Sequence, residues 1–262
     1  MEYITSRKNK VISHLKALGT DSAYRREAGQ FILDGEKLLG EAMASGAKLC
    51  CVLWGGEKTM ELPSGTPEYS CPPELMQAVS PLKNSRGPVF SLEIPKSIVD
   101  EYNVYNCEKS EYLTLSSAII LENVQDPGNV GTIIRTANAM GTGIVILVGD
   151  CADLFSSKTA RASMGGVFRQ PIAEMSIPQL EDYVNQTGLY LYGAALSEKA
   201  QDIRTVKKTG IAVAIGSEGS GLSEELLSIC GGQLIIPMNS ECESLNAAVA
   251  ASIVMWEMSG GE

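Results

Sequence analysis

VQDPGNVGTIIR (124–135) follows the apolar run AIILEN (118–123), and the pair decides how the second half of the chain is read. The run is continuous rather than alternating, which suits a strand covered on both faces of a parallel sheet. Asp126, Pro127 and Gly128 supply turn chemistry, and Asn129 is placed to cap a helix. Along that helix Val130, Ile133, Ile134 and Ala137 share an apolar face. Arg135 falls on the other side with Thr132 and Asn138. The stretch therefore reads as strand, glycine–asparagine turn, and a helix with one arginine on its polar face.

The alternation continues outward. Candidate strands at 117–123, 143–149, 188–196, 210–216 and 232–238 are separated by candidate helices at 129–140, 153–164, 176–187, 222–230 and 244–258. This pattern predicts an α/β domain with a parallel sheet. Before it, residues 5–19 read as a helix, and QFILDG (30–35), EKLLGEAMASG (36–46) and KLCCVLW (48–54) read as strand, helix and strand. ELMQAVSPLKN (74–84) reads as a short helix. DEYNVYNCEKSEY (100–112) is polar and aperiodic, so the expected domains are 1–108 and 109–262.

Two more strand ends carry unusual residues, and ligands sit at such ends in open parallel sheets. AIGSEGSGLSEEL (214–226) places Gly216, Gly219 and Gly221 in a loop before a helix that Ser223 caps. It lacks the lysine of a Walker loop and the spacing of a dinucleotide loop. Glu218 would repel a phosphate there, so a neutral or cationic ligand fits better. LIIPMNSECESLNAAVAASIVMWEM (234–258) ends a strand, and Ser244-Leu245-Asn246 opens an alanine-rich helix. Ile253, Val254, Met255, Trp256 and Met258 leave that helix almost no polar face, so a second subunit is expected to cover part of it.

Composition excludes several chemistries. With 44% hydrophobic and 20% charged residues, the chain suits a globular protein with a substantial core. No apolar run approaches the about 18 residues of a membrane span, and MEYITSRKNK (1–10) lacks a signal-peptide core, so a cytoplasmic location is expected. Seven cysteines, an odd number with no CxxC pair, argue against a disulfide framework and a zinc site. They are expected to be buried reduced thiols, and no metal is expected. His14 is the only histidine and lies far from the glycine-rich segments, which speaks against a Ser-His-Asp triad, a Cys-His pair or a histidine-ligated metal. The net charge of −10 disfavours a broad basic face for nucleic acid. Positive charge is nevertheless local: the first 40 residues hold seven basic residues (Arg7, Lys8, Lys10, Lys16, Arg25, Arg26, Lys37) against five acidic ones.

DPGNVGTIIRTANAMG (126–141), IGSEGSGLS (215–223) and IPMNSECESLNAAVA (236–250), in that order, resemble the SpoU (TrmH) family of RNA ribose 2′-O-methyltransferases of the SPOUT superfamily. KTARASMGGVFRQPI (158–172) is similar to the family's sequence between its first and second motifs. TSRKNKVISHLKAL (5–18) and REAGQFILDGEKLLGEAM (26–43) resemble the ribosomal-protein-like substrate-binding domain that many members carry.

The resemblance implies a catalytic domain threaded as a trefoil knot, S-adenosylmethionine as cofactor, and a homodimer formed through the first and last motif helices. It places Gly216, Gly219, Ile236, Met238 and Leu245 at the cofactor. It assigns Arg135 and Asn129 to the reacting ribose, with Glu218 orienting Arg135 or Asn246, and Ser244 and Asn246 positioning loop and substrate. Arg135 is either a phosphate clamp or the proton acceptor; a guanidinium with a pKa above about 12 favours the clamp. Ser240 stands where members commonly have glycine, which bears on cofactor geometry. RNA, ribosomal rather than transfer, would be held at an exposed unpaired nucleotide by Arg7, Lys8, Lys10, Arg25 and Arg26, with Lys158, Arg161 and Arg169 near the pocket. A noncatalytic RNA-binding or ribosome-assembly factor on the same fold is the alternative. A small-molecule enzyme with a nucleotide cofactor is weakened by the poor phosphate-loop match.

Overall fold

The structure is a computed structural model that describes residues 1–82, 85–97, 103–108, 111–197, 199–239 and 244–260. Ser240 and Cys242 lie outside the described residues. The chain forms two compact units, Met1–Pro95 with Asp153–Phe168, and Lys96–Ala152 with Arg169–Glu262.

The first unit is built on a mixed sheet of five strands, ordered Glu2–Tyr3, Glu68–Ser70, Leu49–Trp54, Val89–Glu93, Gln30–Asp34. Val89–Glu93 runs antiparallel between the two strands read from sequence, so these are parallel but not adjacent. This intervening strand escapes sequence reading because VFSLE is short, carries Ser91, and sits near prolines on both sides. The N-terminal helix begins at Lys10, where Asn9 accepts from the Val11 N–H at 2.8 Å, and not at residue 5. A second helix, Ser22–Ala28, follows at once; the chain turns because Asp21 caps it and Gly29 ends it at φ 61°. Ile12, Leu15 and Leu18 of the first helix pack with Ile32, Leu53 and Met76 in a core cluster. His14 is partnered within this unit, by the Tyr24 hydroxyl at 2.9 Å and Gln30 Oε1 at 3.0 Å.

Asp153–Phe168 belongs to the contacts of this first unit, although it lies in sequence beyond residue 109. The ring of Phe31 lies 5.2 Å from that of Phe155 and 6.4 Å from that of Phe168. The helix expected at 153–164 is only Ser157–Ala162, opened by Ser156, whose side chain accepts from the Thr159 N–H.

The second unit holds an eight-stranded sheet among the described residues, ordered Gln201–Asp202, Gly232–Ile235, Tyr190–Ala194, Ile211–Ile215, Ser117–Glu122, Ile144–Val148, Ile172–Met175, Asn103–Tyr105. Every neighbouring pair is parallel except the last, where Asn103–Tyr105 adds an antiparallel edge to Ile172–Met175. The 100–112 stretch, read as an aperiodic boundary, thus contributes a strand. Edge pairing needs only backbone groups, and three residues are too few to show a period. Ile172–Met175 is missed for a similar reason: four residues behind Pro171 give no pattern.

Ala118, Ile120, Ile144, Ile146, Ala212 and Ala214 face one core with Leu180 and Tyr183 of the helix Ile177–Thr187. The alternate residues Ile119, Leu121, Val145 and Leu147, equally buried, point the other way. Helices Pro127–Met140 and Ala247–Ser259 pack beside Ile144–Val148 and Ile211–Ile215 and against each other. Sequentially, the chain passes from Ile211–Ile215 across to Gly232–Ile235, on the far side of Tyr190–Ala194, and then back to the Arg135 helix. Residues of the stretches that make these crossings, 216–223, 236–239 and 244–246, line one cavity at one end of the sheet.

No described helix is long and apolar enough to cross a membrane.

Candidate active site

The Arg135 helix starts one turn earlier than its sequence suggests. Pro127 takes the first helical position, and Asp126, not Asn129, is the cap: its side chain accepts from the Asn129 N–H at 2.8 Å. This frees the Asn129 side chain for the site. Its Nδ2 donates to Glu218 Oε1 at 3.0 Å. Asn246 Nδ2 donates to the same oxygen at 2.5 Å and to Asn129 Oδ1 at 3.0 Å. The Ala247 N–H donates to Glu218 Oε1 as well, at 3.2 Å. Asn246 at the same time caps the last helix, its Oδ1 accepting from the N–H groups of Ala248 and Val249 at 3.0 and 3.2 Å.

One carboxylate oxygen therefore draws together three segments that are far apart in sequence. Of the two partners expected for Glu218, it holds Asn246, together with Asn129, whereas Arg135 makes no hydrogen bond or ion pair among the described residues. Arg135 is exposed on the outer face of its helix and does not line the cavity beside Glu218.

The Gly216–Ser223 loop is tightly folded. A Cβ at Gly216 would lie 2.1 Å from the Gly221 carbonyl, so only glycine fits where the loop doubles back. Gly221 donates to the Ser217 carbonyl at 3.0 Å and has φ 66°. Ser223 caps the following helix, as its position predicts.

Sequence alone does not single out Glu122, which is 3% exposed. Its oxygens accept from the Ser223 N–H at 2.7 Å and the Ser223 hydroxyl at 2.5 Å. A charged residue ending an otherwise apolar strand was the available signal.

Together the two loops and the end of Tyr190–Ala194 enclose a cavity of about 500 Å³. Gly216, Ile236, Met238, Ser244 and Leu245 line it, as does Glu218. Gly219 is exposed at the loop tip and off the cavity wall. A second, open groove of about 530 Å³ runs between the Arg135 helix and the last helix, floored by Asn129, Thr132, Val249, Ile253 and Trp256. Trp256 is 65% exposed and Val249 47%. Within the chain the last helix is buried on one side, by Ala251, Val254 and Met255 among others, and its other side is open.

Residues 116–256, the stretch holding all of this, match the SpoU rRNA Methylase family. The chain belongs to that family. It is 30% identical to the 23S rRNA (guanosine(2553)-2′-O)-methyltransferase RlmP of Bacillus subtilis, over 99% of this chain and 100% of that one. Its fold superposes on an AdoMet-bound rRNA methyltransferase from Sinorhizobium meliloti with a TM-score of 0.83 and 28% identity, covering 98% and 97% of the two chains. The SpoU methyltransferase AviRb from Streptomyces viridochromogenes gives a TM-score of 0.79 at 25% identity, with 96% coverage of each chain. The chain is accordingly an S-adenosylmethionine-dependent RNA 2′-O-methyltransferase.

The cavity of this SpoU methylase fits that cofactor. Its described lining is apolar or uncharged except for Glu218, with no lysine or arginine. Such a wall accepts an uncharged adenosine and a cationic sulfonium and gives nothing to a polyphosphate.

The expected RNA contacts divide. Arg7, Lys8, Lys10, Arg26, Lys158 and Arg161 are exposed, as is Arg169 in the second unit. Arg25 is not available: its guanidinium is buried against Asp153 at 2.5 Å and the Leu18 carbonyl at 2.8 Å. A buried arginine needs such partners for its charge, and its burial keeps a phosphate from reaching it.

The described cysteines are free thiols. Burial pushes Cys50, Cys71 and Cys230 each up to about 11, and Cys51 and Cys151 upward, so none is poised as a nucleophile.

Proposed function

We propose that this enzyme methylates one ribose 2′-hydroxyl of ribosomal RNA in the cytoplasm, as a homodimer, with Asn129, Glu218, Ser244 and Asn246 organising the substrate end of the cofactor cavity. The observation that carries this reading is the three-segment grip of Glu218 on Asn129, Asn246 and the Ala247 N–H. Bound in the cavity, S-adenosylmethionine supplies a methyl group on a sulfonium leaving group.

The chain must do the rest by placement. In-line displacement needs the attacking hydroxyl aligned within about 3–3.5 Å of its target and relieved of its proton. Glu218 fixes the two asparagine amides; Asn246 spends its donors on Glu218 and Asn129 and its oxygen on the helix start, so the remaining N–H and lone pair of Asn129 are the groups set to meet a ribose hydroxyl. Ser244 lines the cavity just before them and supplies a further hydroxyl. Gly216, Ile236, Met238 and Leu245 hold the cofactor.

Arg135 serves as the phosphate clamp for the target nucleotide. Its guanidinium stays charged and offers a bidentate fork. In a single chain it stands off the cavity, beside the open groove that carries Trp256 and Val249. A second copy covering this groove removes those apolar side chains from water and brings two such arginines into one assembly. The two-fold contact is the reading the half-covered last helix supports best. The crossing of the chain from Ile211–Ile215 to Gly232–Ile235, beyond Tyr190–Ala194, and back to the Arg135 helix supports a trefoil-knotted cofactor site.

The first unit, with Arg7, Lys8, Lys10 and Arg26, and with Lys158 and Arg161 on its contributed segment, binds RNA through phosphates. Its role as a substrate-binding domain fits this local positive charge in a chain of net charge −10.

The test is transfer of labelled methyl from S-adenosylmethionine to ribosomal RNA lacking the modification, followed by mapping of alkali-resistant linkages. One protected ribose is expected. RNA binding without cofactor affinity, and no transfer to ribosomal or transfer RNA, would instead favour an RNA-binding or assembly factor.

A further inference from the structure

We infer that Glu122 is a positioning residue for the cofactor: it anchors the Gly216–Ser223 loop to the sheet and thereby shapes the S-adenosylmethionine cavity. The inference rests on the functional reading above, and it concerns a residue that touches neither cofactor nor substrate cavity in this structure.

The loop leaves the sheet at Ile215, whose register partner on the neighbouring strand is Leu121. Glu122 is the next residue of that strand, and it is still in the ladder, paired with Val148 on its other side. From this fixed point the carboxylate reaches back to the loop's far end. One oxygen takes the Ser223 N–H at 2.7 Å and the other the Ser223 hydroxyl at 2.5 Å. The eight-residue stretch 216–223 is thus closed at both ends on adjacent positions of one strand pair.

The carboxylate is buried. Glu122 is 3% exposed, and each of its oxygens accepts from the same residue. A buried carboxylate costs free energy unless donors are aimed at it, and charge-assisted bonds to two donors of one residue fix that residue's position and orientation. Ser223 in turn caps the helix Glu224–Ile229, accepting from the Leu226 N–H at 3.1 Å, so the grip also sets where that helix begins.

Between the anchored ends lie Gly216, Ser217, Glu218, Ser220 and Gly221, which form one wall of the cavity. With its base pinned, the loop needs no ordering when the cofactor arrives, and Glu218 is held where it meets Asn129 and Asn246. Released from Ser223, the wall gains alternative conformations that the cofactor must remove.

The full-length protein carrying Glu122→Gln tests this. Glutamine keeps size and one acceptor but offers an NH₂ where the second acceptor was. S-adenosylmethionine dissociation is measured by calorimetry, KM for cofactor and for RNA and kcat by methyl transfer, and folding by thermal denaturation. The expected result is about tenfold weaker cofactor binding and a matching rise in its KM, with KM for RNA and kcat at saturating cofactor within about twofold. Ser223→Ala is expected to give the same split, Ser223→Thr to preserve wild-type affinity, and Glu122→Gln with Ser223→Ala to be no worse than the poorer single variant. A lowered melting temperature with cofactor affinity unchanged in Glu122→Gln would overturn the inference and leave Glu122 a structural residue. Loss of kcat without loss of cofactor affinity would overturn it too. Wild-type protein that binds no S-adenosylmethionine would overturn both this inference and the functional reading on which it rests.

Discussion

Asn246 and Asn129, 117 positions apart, are joined directly by an Nδ2–Oδ1 hydrogen bond of 3.0 Å and indirectly through one oxygen of Glu218. The closed three-membered arrangement means that none of the side chains can be reoriented alone. Glu218→Ala is expected to reduce methyl transfer by about 10²-fold, and the Asn129→Ala and Asn246→Ala variants to show strong non-additivity with it. Glu218→Gln, which retains one acceptor, is expected to lose less. Additive effects in single-turnover kinetics would show that the three do not act as a unit.

Arg135→Ala is expected to lower kcat by about 10²–10³-fold while the dissociation constant for S-adenosylmethionine stays unchanged, because the guanidinium does not line the cavity. Arg135→Lys should recover little of the loss, since lysine lacks the planar fork. Mixing Arg135→Ala subunits with Glu218→Ala subunits is expected to restore part of the activity if two chains share one assembly. Calorimetry with cofactor and rate measurements on mixed subunits check the two statements separately.

Trp256→Glu should convert a dimer to a monomer. The indole is 65% exposed beside Val249, and charge in such a groove opposes its burial against a second copy. Sedimentation velocity at micromolar concentration is the measurement. A wild-type protein that sediments as a monomer would remove the dimer from the functional reading.

Gly216→Ala places a methyl 2.1 Å from the Gly221 carbonyl, which only a movement of the loop backbone can relieve. Cofactor affinity is expected to fall by at least about 10-fold. Gly219→Ala, with nothing within 4 Å of the added carbon, is expected to leave affinity unchanged. The contrast between two glycines of one loop is read by the same calorimetric titration.

The thiols give a pH dependence of definite sign. Burial raises Cys50, Cys71 and Cys230 from 9.0 to about 11, so the fold favours their neutral form. Their contribution to stability is complete below about pH 9 and is lost as pH rises through about 11. Alkylation at pH 8 should be about a hundredfold slower in the native than in the unfolded protein, as a two-unit shift in thiolate population requires. The denaturation midpoint should fall between pH 9 and 11.

Much of the second unit was legible because its strands are continuous apolar runs bounded by glycine and asparagine turns. The strands at Ser117–Glu122, Ile144–Val148 and Ile211–Ile215 fall inside their expected spans, and the two long helices flanking the groove overlap theirs, with ends displaced by one to three residues. Short elements were not legible. Asn103–Tyr105, Ile172–Met175 and Val89–Glu93 owe their existence to neighbours that offer backbone hydrogen bonds, and three to five residues carry too little periodicity to announce that. Arg25 illustrates the same limit for charge. Its place among basic residues suggested RNA, but only the approach of Asp153, 128 positions away, shows that its charge is spent internally.

The sequence by itself determined the kind of unit each segment builds and the chemical inventory of the site: the glycine-laced loops, the lone carboxylate among neutral walls, the arginine on a polar helix face. These are local properties, set by side-chain size, backbone freedom and period. Tertiary structure alone decided which of those groups meet. That Glu218 grips Asn129 and Asn246 rather than Arg135, and that Glu122 closes the loop beneath it, follows from strand order and register, and strand order is chosen by the packing of the whole sheet.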